Sequence, residues 1–393
     1  MNILDISKDI IATAQRPLDQ AQTLPPQAYT DEAWFTHEAE HILRAGWLCA
    51  GHVSQLKQPG ATLPLDLLGE PVMLVRGNDD VIRVLSRGCP HRASDLLLGG
   101  EATGCHVAGS VLTCPYHHWT FALDGKLMGA PHMQGAVDFN KAEWKLNNIR
   151  SAVWEGFIFV NLNDEAPPLE TYFADFTAIA APWQLAEMEL VISMDWDCAF
   201  NWKVMVENWI ESYHHIGPHS KTLNPYMPAQ DTWTEPPNGA FVYAHLPMTG
   251  RDAAPVREAI ASGAPGTGFL PIPGVPVERQ GEWNLFVGFP CFMLLLARDR
   301  AIWYRLQPIS AERCRLTTTT LVSRASLQAP GYAQTLEAET KMLFDFHVED
   351  MQVNEAVQRG LRSRHAVRGR LSQLEEPVWQ FHRLLAAQMA DFR

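Results

Sequence analysis

The sequence predicts an α+β protein in two parts: an all-β module near the N-terminus, then a larger region that combines helices with an antiparallel sheet. Between residues 47 and 162, apolar residues occur in short β-like runs separated by Gly, Pro and Asp. Beyond residue 170, strand-like and helical patterns alternate to the end. The stretch 164–170, Asp-Glu-Ala-Pro-Pro-Leu-Glu, has the composition of a linker. Three segments follow: 1–45, a helical segment packing on the second domain; 46–163, the β module; and 164–393, the second domain.

The composition is that of a globular protein. The 393 residues are 47% apolar and 19% charged, which is enough to bury a core without disulfides. The net charge of −13, with no run of Lys or Arg, argues against nucleic-acid binding. The first residues lack a basic stretch followed by an apolar one, and the longest apolar run, 289–297, is too short to span a bilayer, so we expect a cytoplasmic protein without membrane contact.

Apolar periodicity and turn residues predict the individual elements. Thr30 can cap a helix over 30–46. The region 252–281, rich in Gly, Pro and Ala, is predicted as a long loop, a candidate flap over a pocket. The remaining predictions are consecutive antiparallel strands at 284–297, 301–307 and 313–322, and helices at 336–362 and 376–391.

Two short Cys/His pairs form the first candidate metal site: Cys89-Pro-His91 and Cys114-Pro-Tyr-His117. Each pair follows a strand-like piece and lies in a predicted loop with Pro. Two thiolates and two imidazoles can hold a tetrahedral zinc ion. The same donors suit a two-iron cluster in which one iron takes both thiolates and the other both imidazoles, and neutral imidazoles then raise the reduction potential. On the donor set alone, both interpretations remain open.

The surrounding residues resemble a known family. The segments 89–92, Cys-Pro-His-Arg, and 114–125, Cys-Pro-Tyr-His-His-Trp-Thr-Phe-Ala-Leu-Asp-Gly, are similar to the Rieske [2Fe–2S] motif of the Rieske non-haem iron oxygenases. The resemblance implies that Cys89 and Cys114 bind one iron and that His91 and His117 bind the other. The chain departs from the motif at two points. The spacer from His91 to Cys114 is long, and a histidine stands at position 118, where Gly is common. We interpret that histidine, with Cys105 and His106 of the spacer, as non-ligands.

A second polar cluster lies within residues 201–219. Glu207, Glu211 and His214, spaced i, i+4 and i+7, are predicted on one face of a helix. His214 and His219 can share a metal only if the helix breaks between them, and Gly217 followed by Pro supplies a break. We interpret Tyr213, Trp202, Trp209 and His215 as packing residues, and Glu207 and Asn208 as candidates for orienting a ligand histidine.

Two imidazoles and one carboxylate on one side of an iron leave positions open for dioxygen and substrate. The predicted C-terminal helix offers the acid, because Asp350 lies on an apolar face where a carboxylate needs a cation. Glu349 and Asp345, on more polar flanks, are the alternatives.

The family resemblance extends to this region. The spacing Glu211-x2-His214-x4-His219 is similar to the mononuclear iron motif, and residues 349–360 are similar to its late acidic element. The resemblance implies that His214, His219 and Asp350 bind the catalytic Fe(II). It also implies that Glu211 bridges a Rieske histidine to an iron ligand of the neighbouring subunit. Asn208 precedes Glu211 by three residues, which favours the branch of betaine- and carnitine-type monooxygenases.

The resemblance also implies the architecture and the partners: a helix-grip (START/Bet v 1-like) catalytic domain, a homotrimer, and electrons from NAD(P)H through a reductase, with or without a ferredoxin. The sequence has no Gly-rich dinucleotide motif. Our leading expectation is hydroxylation of an aromatic substrate, and the alternative is monooxygenation or N-demethylation of a betaine-like quaternary ammonium compound. Two hypotheses from other classes are a Rieske electron carrier or ligand-binding protein without oxygenase activity, and a zinc-stapled binding module.

Overall fold

The computed structural model describes residues 2–97, 106–107 (backbone only), 109–264 and 268–389. These form two compact units: Met1–Gly46 together with Pro167–Arg393, and Trp47–Ala166. Cys105, which we interpreted as a non-ligand, lies outside the described residues, and the side chain of His106 is not described either.

The smaller unit consists of short antiparallel strands in three sheets, with the strand orders β5-β2-β3-β4-β9, β1-β11-β10 and β6-β7-β8. Its two apolar cores lie on opposite faces of the β2-β3-β4 ladder, and one of them includes Cys89 and Cys114. The strands are β1 Leu48–His52, β2 Ala61–Leu67, β3 Glu70–Arg76, β4 Ile82–Ser86, β5 His106–Val107, β6 Val111–Thr113, β7 Thr120–Ala122, β8 Leu127–Gly129, β9 Asn148–Ile149, β10 Ser151–Trp154 and β11 Phe157–Val160.

The larger unit contains a seven-stranded antiparallel sheet in the order β12-β18-β17-β16-β15-β14-β13. Its strands are β12 Glu189–Cys198, β13 Trp233–Thr234, β14 Phe241–Pro247, β15 Glu282–Gly288, β16 Phe292–Leu296, β17 Ala301–Ser310 and β18 Arg313–Val322. Its helices are α1 Ile3–Ala14, α2 Gln27–Thr30, α3 Glu32–Glu38, α4 Glu170–Ala180, α5 Trp202–Ile210, α6 Ala254–Ser262, α7 Val277–Gln280, α8 Tyr332–Leu361 and α9 Glu376–Ala387, with a π-helical turn at Ala39–Leu43.

One face of this sheet packs against α8, the longest helix. The rings of Trp196 on β12 and Tyr304 on β17 lie over His347 of α8, with centroid separations of 5.8 and 5.5 Å. Trp283 on β15 approaches Phe346 of α8 at 6.5 Å. The residues on this face of the sheet therefore surround the buried side of α8.

Three predicted elements differ from the structure. The helix predicted over 30–46 is divided, because the Asp31 side chain, and not Thr30, accepts the Trp34 N–H at 2.9 Å and starts a new helix, α3. The strand predicted over 284–297 is two strands, β15 and β16, joined through Pro290, which has no N–H to donate to a ladder. The predicted long loop contains α6 and α7 within its described part.

Across the described ranges, no helix combines the length and the apolar character needed to cross a membrane.

Candidate metal centres and catalytic site

The two cysteine loops of the smaller unit have the same backbone hydrogen bonds. The Cys89 N–H donates to the Ser94 carbonyl at 2.9 Å, and the Ala93 N–H donates to the Cys89 carbonyl at 2.8 Å. The second loop repeats both bonds, from Cys114 to Trp119 at 2.8 Å and from the residue at 118 to Cys114 at 3.0 Å. The fourth residue after each cysteine is left-handed, with φ of +56° at Ala93 and +57° at 118. The loop therefore explains why Gly suits position 118.

The four predicted donors of these loops form two adjacent pairs, one of thiols and one of imidazoles. The Cys89 and Cys114 thiols are buried and in contact with each other. Burial raises the pKa of Cys89, although the backbone N–H groups of residues 91 and 92 lower it by pointing at the sulfur. The rings of His91 and His117 are 4.6 Å apart, and the His117 Nδ1 is buried with no hydrogen-bond partner in the described chain. A pair of thiols and a pair of imidazoles, one of which has an unpartnered nitrogen, fit the donor set of a Rieske cluster.

The second site begins where α5 ends. The helix stops at Ile210, the Glu211 backbone is extended (φ −110°, ψ 162°), and His214 lies in a separate 3₁₀ turn. The prediction of one helical face ending at Gly217 is therefore wrong. The cause is local, because Glu211 Oε2 accepts the His214 N–H at 3.1 Å, a side-chain bond that competes with continued helix.

His214, His219 and Asp350 form the one group of three or more candidate ligands found among the described residues, with all ligand atoms within 4.8 Å of one another. His219 Nε2 lies 2.9 Å from Asp350 Oδ1, and His214 Nε2 lies 3.6 Å from the same oxygen. Asp350 is on the buried face of α8. Asp345 is not part of this group and pairs with Lys341.

Each of the two imidazoles also contacts a glutamate through its Nδ1 atom, the ring nitrogen that does not face Asp350. Glu211 Oε1 lies 2.7 Å from His214 Nδ1, and Glu349 Oε2 lies 2.7 Å from His219 Nδ1. The Thr222 hydroxyl also donates to Glu349 at 2.7 Å. Since metal-bound imidazoles generally donate their other N–H to an acceptor, Glu349 has the geometry of an orienting group. The sequence indicated it only as an alternative ligand.

The charges of this group favour a bound cation. Although burial lowers the pKa of His219, its hydrogen bond to Asp350 and the charges of Asp350 and Glu349 raise that pKa above its usual value. Burial raises the pKa of Asp350, but the hydrogen bond from His219 and the nearby imidazoles lower it overall. The buried acid is thus stabilised by positive charge, as a metal ligand requires.

The other polar residues near α5 have different partners from those we expected. Glu207 binds Tyr29 and His382, so it does not orient a ligand histidine. Asn208 accepts a hydrogen bond from Asn354 at 3.2 Å.

Of the residues that we interpreted as packing residues, two are buried and one is exposed. Trp202 is buried, and His215 is buried with its Nδ1 3.2 Å from the Met227 carbonyl; burial lowers the pKa of His215 to about 3, consistent with packing. Tyr213 is 41% exposed, so the prediction that it belongs to the core is wrong.

Aromatic side chains adjoin the three candidate ligands. The Phe346 ring is 6.3 Å from His219, and Trp283 lies beyond Phe346. Trp209 meets Tyr304 edge to face at 5.0 Å. Sequence reasoning missed Trp283 and Tyr304, because strand register, which the sequence does not state, decides which face of the sheet they occupy.

Two family profiles match the chain. Residues 46–147 match the Rieske [2Fe-2S] domain. Residues 185–391, just over half of the chain, match the catalytic domain of the ring hydroxylating alpha subunit. The chain belongs to the Rieske non-haem iron oxygenases.

Individual relatives of this Rieske oxygenase agree with that assignment. The carnitine monooxygenase oxygenase subunit of Escherichia coli K12 is 28% identical, and the match covers 95% of each protein. The glycine betaine monooxygenase oxygenase subunit of Chromohalobacter salexigens is 27% identical over 92% of this chain and 84% of its own length. The crystal structure of a quaternary ammonium Rieske monooxygenase with an inhibitor has a TM-score of 0.80 at 25% identity, covering 97% and 98% of the two chains. Naphthalene 1,2-dioxygenase with bound indole, at 19% identity and TM-score 0.71, shares the fold.

These findings confirm the predicted family, the α+β fold with antiparallel sheets, the O₂-dependent oxidoreductase class, and the Rieske cluster with a mononuclear iron. The protein is the oxygenase subunit of a multicomponent system that needs a reductase. The two family profiles exclude the zinc-stapled binding module and the Rieske electron carrier without oxygenase activity. The relatives support the quaternary ammonium alternative better than our leading expectation of aromatic hydroxylation.

Proposed function

We propose that this Rieske oxygenase is a monooxygenase of a quaternary ammonium compound of the carnitine or betaine type. The observation that carries the proposal is the similarity over 95% of both chains to a carnitine monooxygenase oxygenase subunit. The similarity to a glycine betaine monooxygenase oxygenase subunit supports the same substrate class.

The charge of the site suits a cationic substrate. The carboxylates of Glu211, Glu349 and Asp350 surround two imidazoles, and within the described part of the chain no Lys or Arg lies within ion-pair distance of them. A divalent iron would offset two of the three negative charges, so the site retains one. A quaternary ammonium group is attracted to that charge and to aromatic faces such as those of Phe346 and Trp283.

The proposal includes the metal ligands, which the family and the geometry of the two sites support. Cys89, Cys114, His91 and His117 would hold the Rieske cluster, which would supply one-electron transfer from the reductase. His214, His219 and Asp350 hold the iron, which activates O₂ when bound. Asp350 and the two inward Nε2 atoms would supply three protein ligands to the ion, the donor set of two imidazoles and one carboxylate typical of non-haem Fe(II) oxygenases.

Glu211 and the assembly belong to the same proposal. Glu211 holds His214 in place and links it to a Rieske histidine of a neighbouring subunit, so the active form is a homotrimer. Light scattering on the purified protein should give the mass of three chains. A fully active monomer would contradict the proposed link through Glu211 to a neighbouring subunit.

A matched pair of compounds tests the substrate class. With a surrogate reductase and NADH, we expect O₂ uptake and hydroxylated or demethylated product from carnitine or glycine betaine. The control is 3,3-dimethylbutyrate, in which carbon replaces the betaine nitrogen, so that shape is kept and the positive charge is lost. Equal turnover of this isostere, or turnover of an aromatic compound such as naphthalene in its place, contradicts the proposal.

A further inference from the structure

A row of aromatic rings leads from one predicted cluster ligand to the surface of the smaller unit. The His91 ring stacks on the buried Trp119 indole, with centroids 4.7 Å apart and planes at 5° to each other. Trp119 in turn meets Trp144 edge to face, with centroids 5.6 Å apart. Trp144 is 36% exposed, so the row ends in solvent. None of the roles described so far involves Trp144.

The second predicted imidazole ligand leads to a different exposed ring. The His117 ring lies 3.8 Å from the ring of Tyr116, which is 52% exposed and has the Arg92 guanidinium 5.2 Å from its centre. Among the described residues, no ring contact joins Tyr116 to Trp144. One exposed ring can therefore face the neighbouring subunit, as the proposed link through Glu211 requires, while the other is available to an electron donor.

Trp144 shares the surface with Phe139. The Phe139 ring lies 5.6 Å from Trp119 and 5.9 Å from Trp144, so the three rings contact one another. Both outer rings belong to the segment 137–145, in which every residue is exposed except Phe139, which is half-buried. Val137, at the start of this segment, is 88% exposed. Aromatic side chains on an exposed segment are typical of an interaction surface.

The segment 137–145 carries no net charge, because two lysines balance two acids: Lys141, Lys145, Asp138 and Glu143. The whole chain carries −13, so a charged partner meets less electrostatic resistance here than the average surface would offer an acidic protein. A small, neutral and apolar surface suits a weak, transient contact of the kind that redox partners make. A donor that delivers electrons one at a time must also dissociate readily.

We propose that the segment 137–145 is the docking surface for the redox domain of the reductase, and that electrons enter the cluster there, from Trp144 through Trp119 to His91. One electron leaves the reduced iron–sulfur or flavin centre of the donor and is taken up by the oxidised cluster, and no covalent bond forms or breaks. The rings shorten the gap between the two centres, which matters because electron transfer slows steeply with distance. The inference rests on the proposed cluster ligands and not on the substrate class.

Val137→Asp tests the docking surface, because a carboxylate must lose water when the reductase covers it. In the holoenzyme we expect the Kd for a surrogate NADH reductase that supports wild-type turnover to rise about three- to tenfold. Biolayer interferometry measures this binding without turnover. The matched control is Val153→Asp, since Val153 is 50% exposed on β10 of the same unit. Wild-type affinity in Val137→Asp, or an equal loss in the control, overturns the docking surface.

Trp144→Leu tests the route of the electron. At saturating reductase, stopped-flow reduction of the cluster should slow severalfold, and Trp144→Phe, which keeps a ring, should restore part of the rate. Reduction by dithionite, a small reductant that needs no docking surface, should stay at the wild-type rate, and the midpoint potential should be unchanged. A wild-type rate with the reductase in Trp144→Leu overturns the route. A slower dithionite reaction or a shifted potential also overturns it, since the indole then acts on the cluster itself.

Light scattering separates this surface from a contact between subunits. Val137→Asp and Trp144→Leu should keep the mass of the wild-type assembly. Loss of assembly with retained affinity for the reductase assigns the segment to a neighbouring copy of the chain and overturns the proposal. A wild type that binds no cluster contradicts the proposed ligands, whereas the affinity of Val137→Asp for the reductase still tests the docking surface.

Discussion

Glu349 and Asp350 are neighbours in the sequence, yet they meet opposite nitrogens of the same imidazole. Asp350 Oδ1 is 2.9 Å from His219 Nε2, and Glu349 Oε2 is 2.7 Å from His219 Nδ1. The apolar periodicity of α8 selected Asp350 as the buried acid. It left Glu349 as an alternative ligand and not as an orienting group, because the orienting role depends on the position of a histidine 130 residues earlier in the chain.

Replacing Glu349 tests its orienting role. We expect Glu349→Gln to weaken binding of the mononuclear iron by about ten- to a hundredfold, because the His219 N–H loses a charged acceptor. The visible spectrum of the cluster should be unchanged. Iron titration of the metal-free protein measures the effect, and Glu355→Gln, an exposed ion-pair partner of Arg359 on the same helix, is the control. Equal iron affinity in the two variants would show that Glu349 does not support the site.

We expect Glu211 to matter more for coupling O₂ consumption to product formation than for metal binding. Glu211→Gln keeps an acceptor oxygen for the His214 ring, so both metals should stay bound when iron is supplied in excess, although the mononuclear iron should bind more weakly for the same reason as in Glu349→Gln. It removes the charge between His214 and the proposed electron donor, so most coupled turnover should be lost. Product formed per O₂ consumed measures this, together with iron content. Full activity in this variant would refute the bridge.

At the scale of elements, the ends of helices and loops decide which residues reach the sites. Helix α5 ends at Ile210 because Glu211 bonds forward to the His214 backbone, and that early end lets His214 and His219 face Asp350 together. The break predicted from the sequence, at Gly217, lies seven residues after the observed end of the helix. Helical periodicity continues through this stretch of sequence, and only the competing side-chain bond ends the helix.

Two substitutions at the start of α3 test the corrected helix boundary. Asp31 caps α3 through the Trp34 N–H, whereas the Thr30 hydroxyl donates to the Pro26 carbonyl. We expect Asp31→Ala to lower the free energy of unfolding by about 1 kcal/mol and Thr30→Ala to lower it by less. Chemical denaturation of the two variants measures the difference. A larger loss for Thr30→Ala would restore the cap predicted from the sequence.

The second cysteine loop contains a backbone strain that can be removed. The residue at position 118 has φ of +57°, a conformation that costs a residue with a side chain about 1–2 kcal/mol. We expect His118→Gly to stabilise the smaller unit by about 0.5–1 kcal/mol, since glycine offsets part of this gain by its greater freedom in the unfolded chain. Thermal bleaching of the cluster colour measures the change, and Ala93→Gly in the matching loop should behave alike. A destabilised His118→Gly protein would show that the side chain contributes contacts that outweigh the strain.

At the scale of the whole molecule, the N-terminal segment folds with the C-terminal half. Glu38 accepts from the ammonium of Lys203 at 2.7 Å and from the Trp202 indole at 2.8 Å, and both charged side chains are fully buried. Helix α1 packs along α9. This unit therefore joins residues from both ends of the chain, and the three proposed iron ligands, His214, His219 and Asp350, lie in one compact body.

The division into two units predicts that the metals can be removed separately. We expect about three irons per wild-type chain, two in the cluster and one at the mononuclear site. His214→Ala should retain about two irons and the cluster colour, because its change lies in the other unit from Cys89 and Cys114. Metal analysis with the visible spectrum checks both numbers. Zinc in place of iron, or loss of colour in this variant, would contradict the assignment.

The sequence by itself determined the family and the cofactors, and it predicted the two donor sets. The reason is that metal ligands occur in short motifs whose spacing is fixed by local loop and helix geometry, as in residues 89–91, 114–117 and 214–219. The tertiary structure alone decided the end of α5, the role of Glu349 and the partners of Glu207. Each of these depends on contacts between segments far apart in the chain, and neither periodicity nor spacing records such contacts.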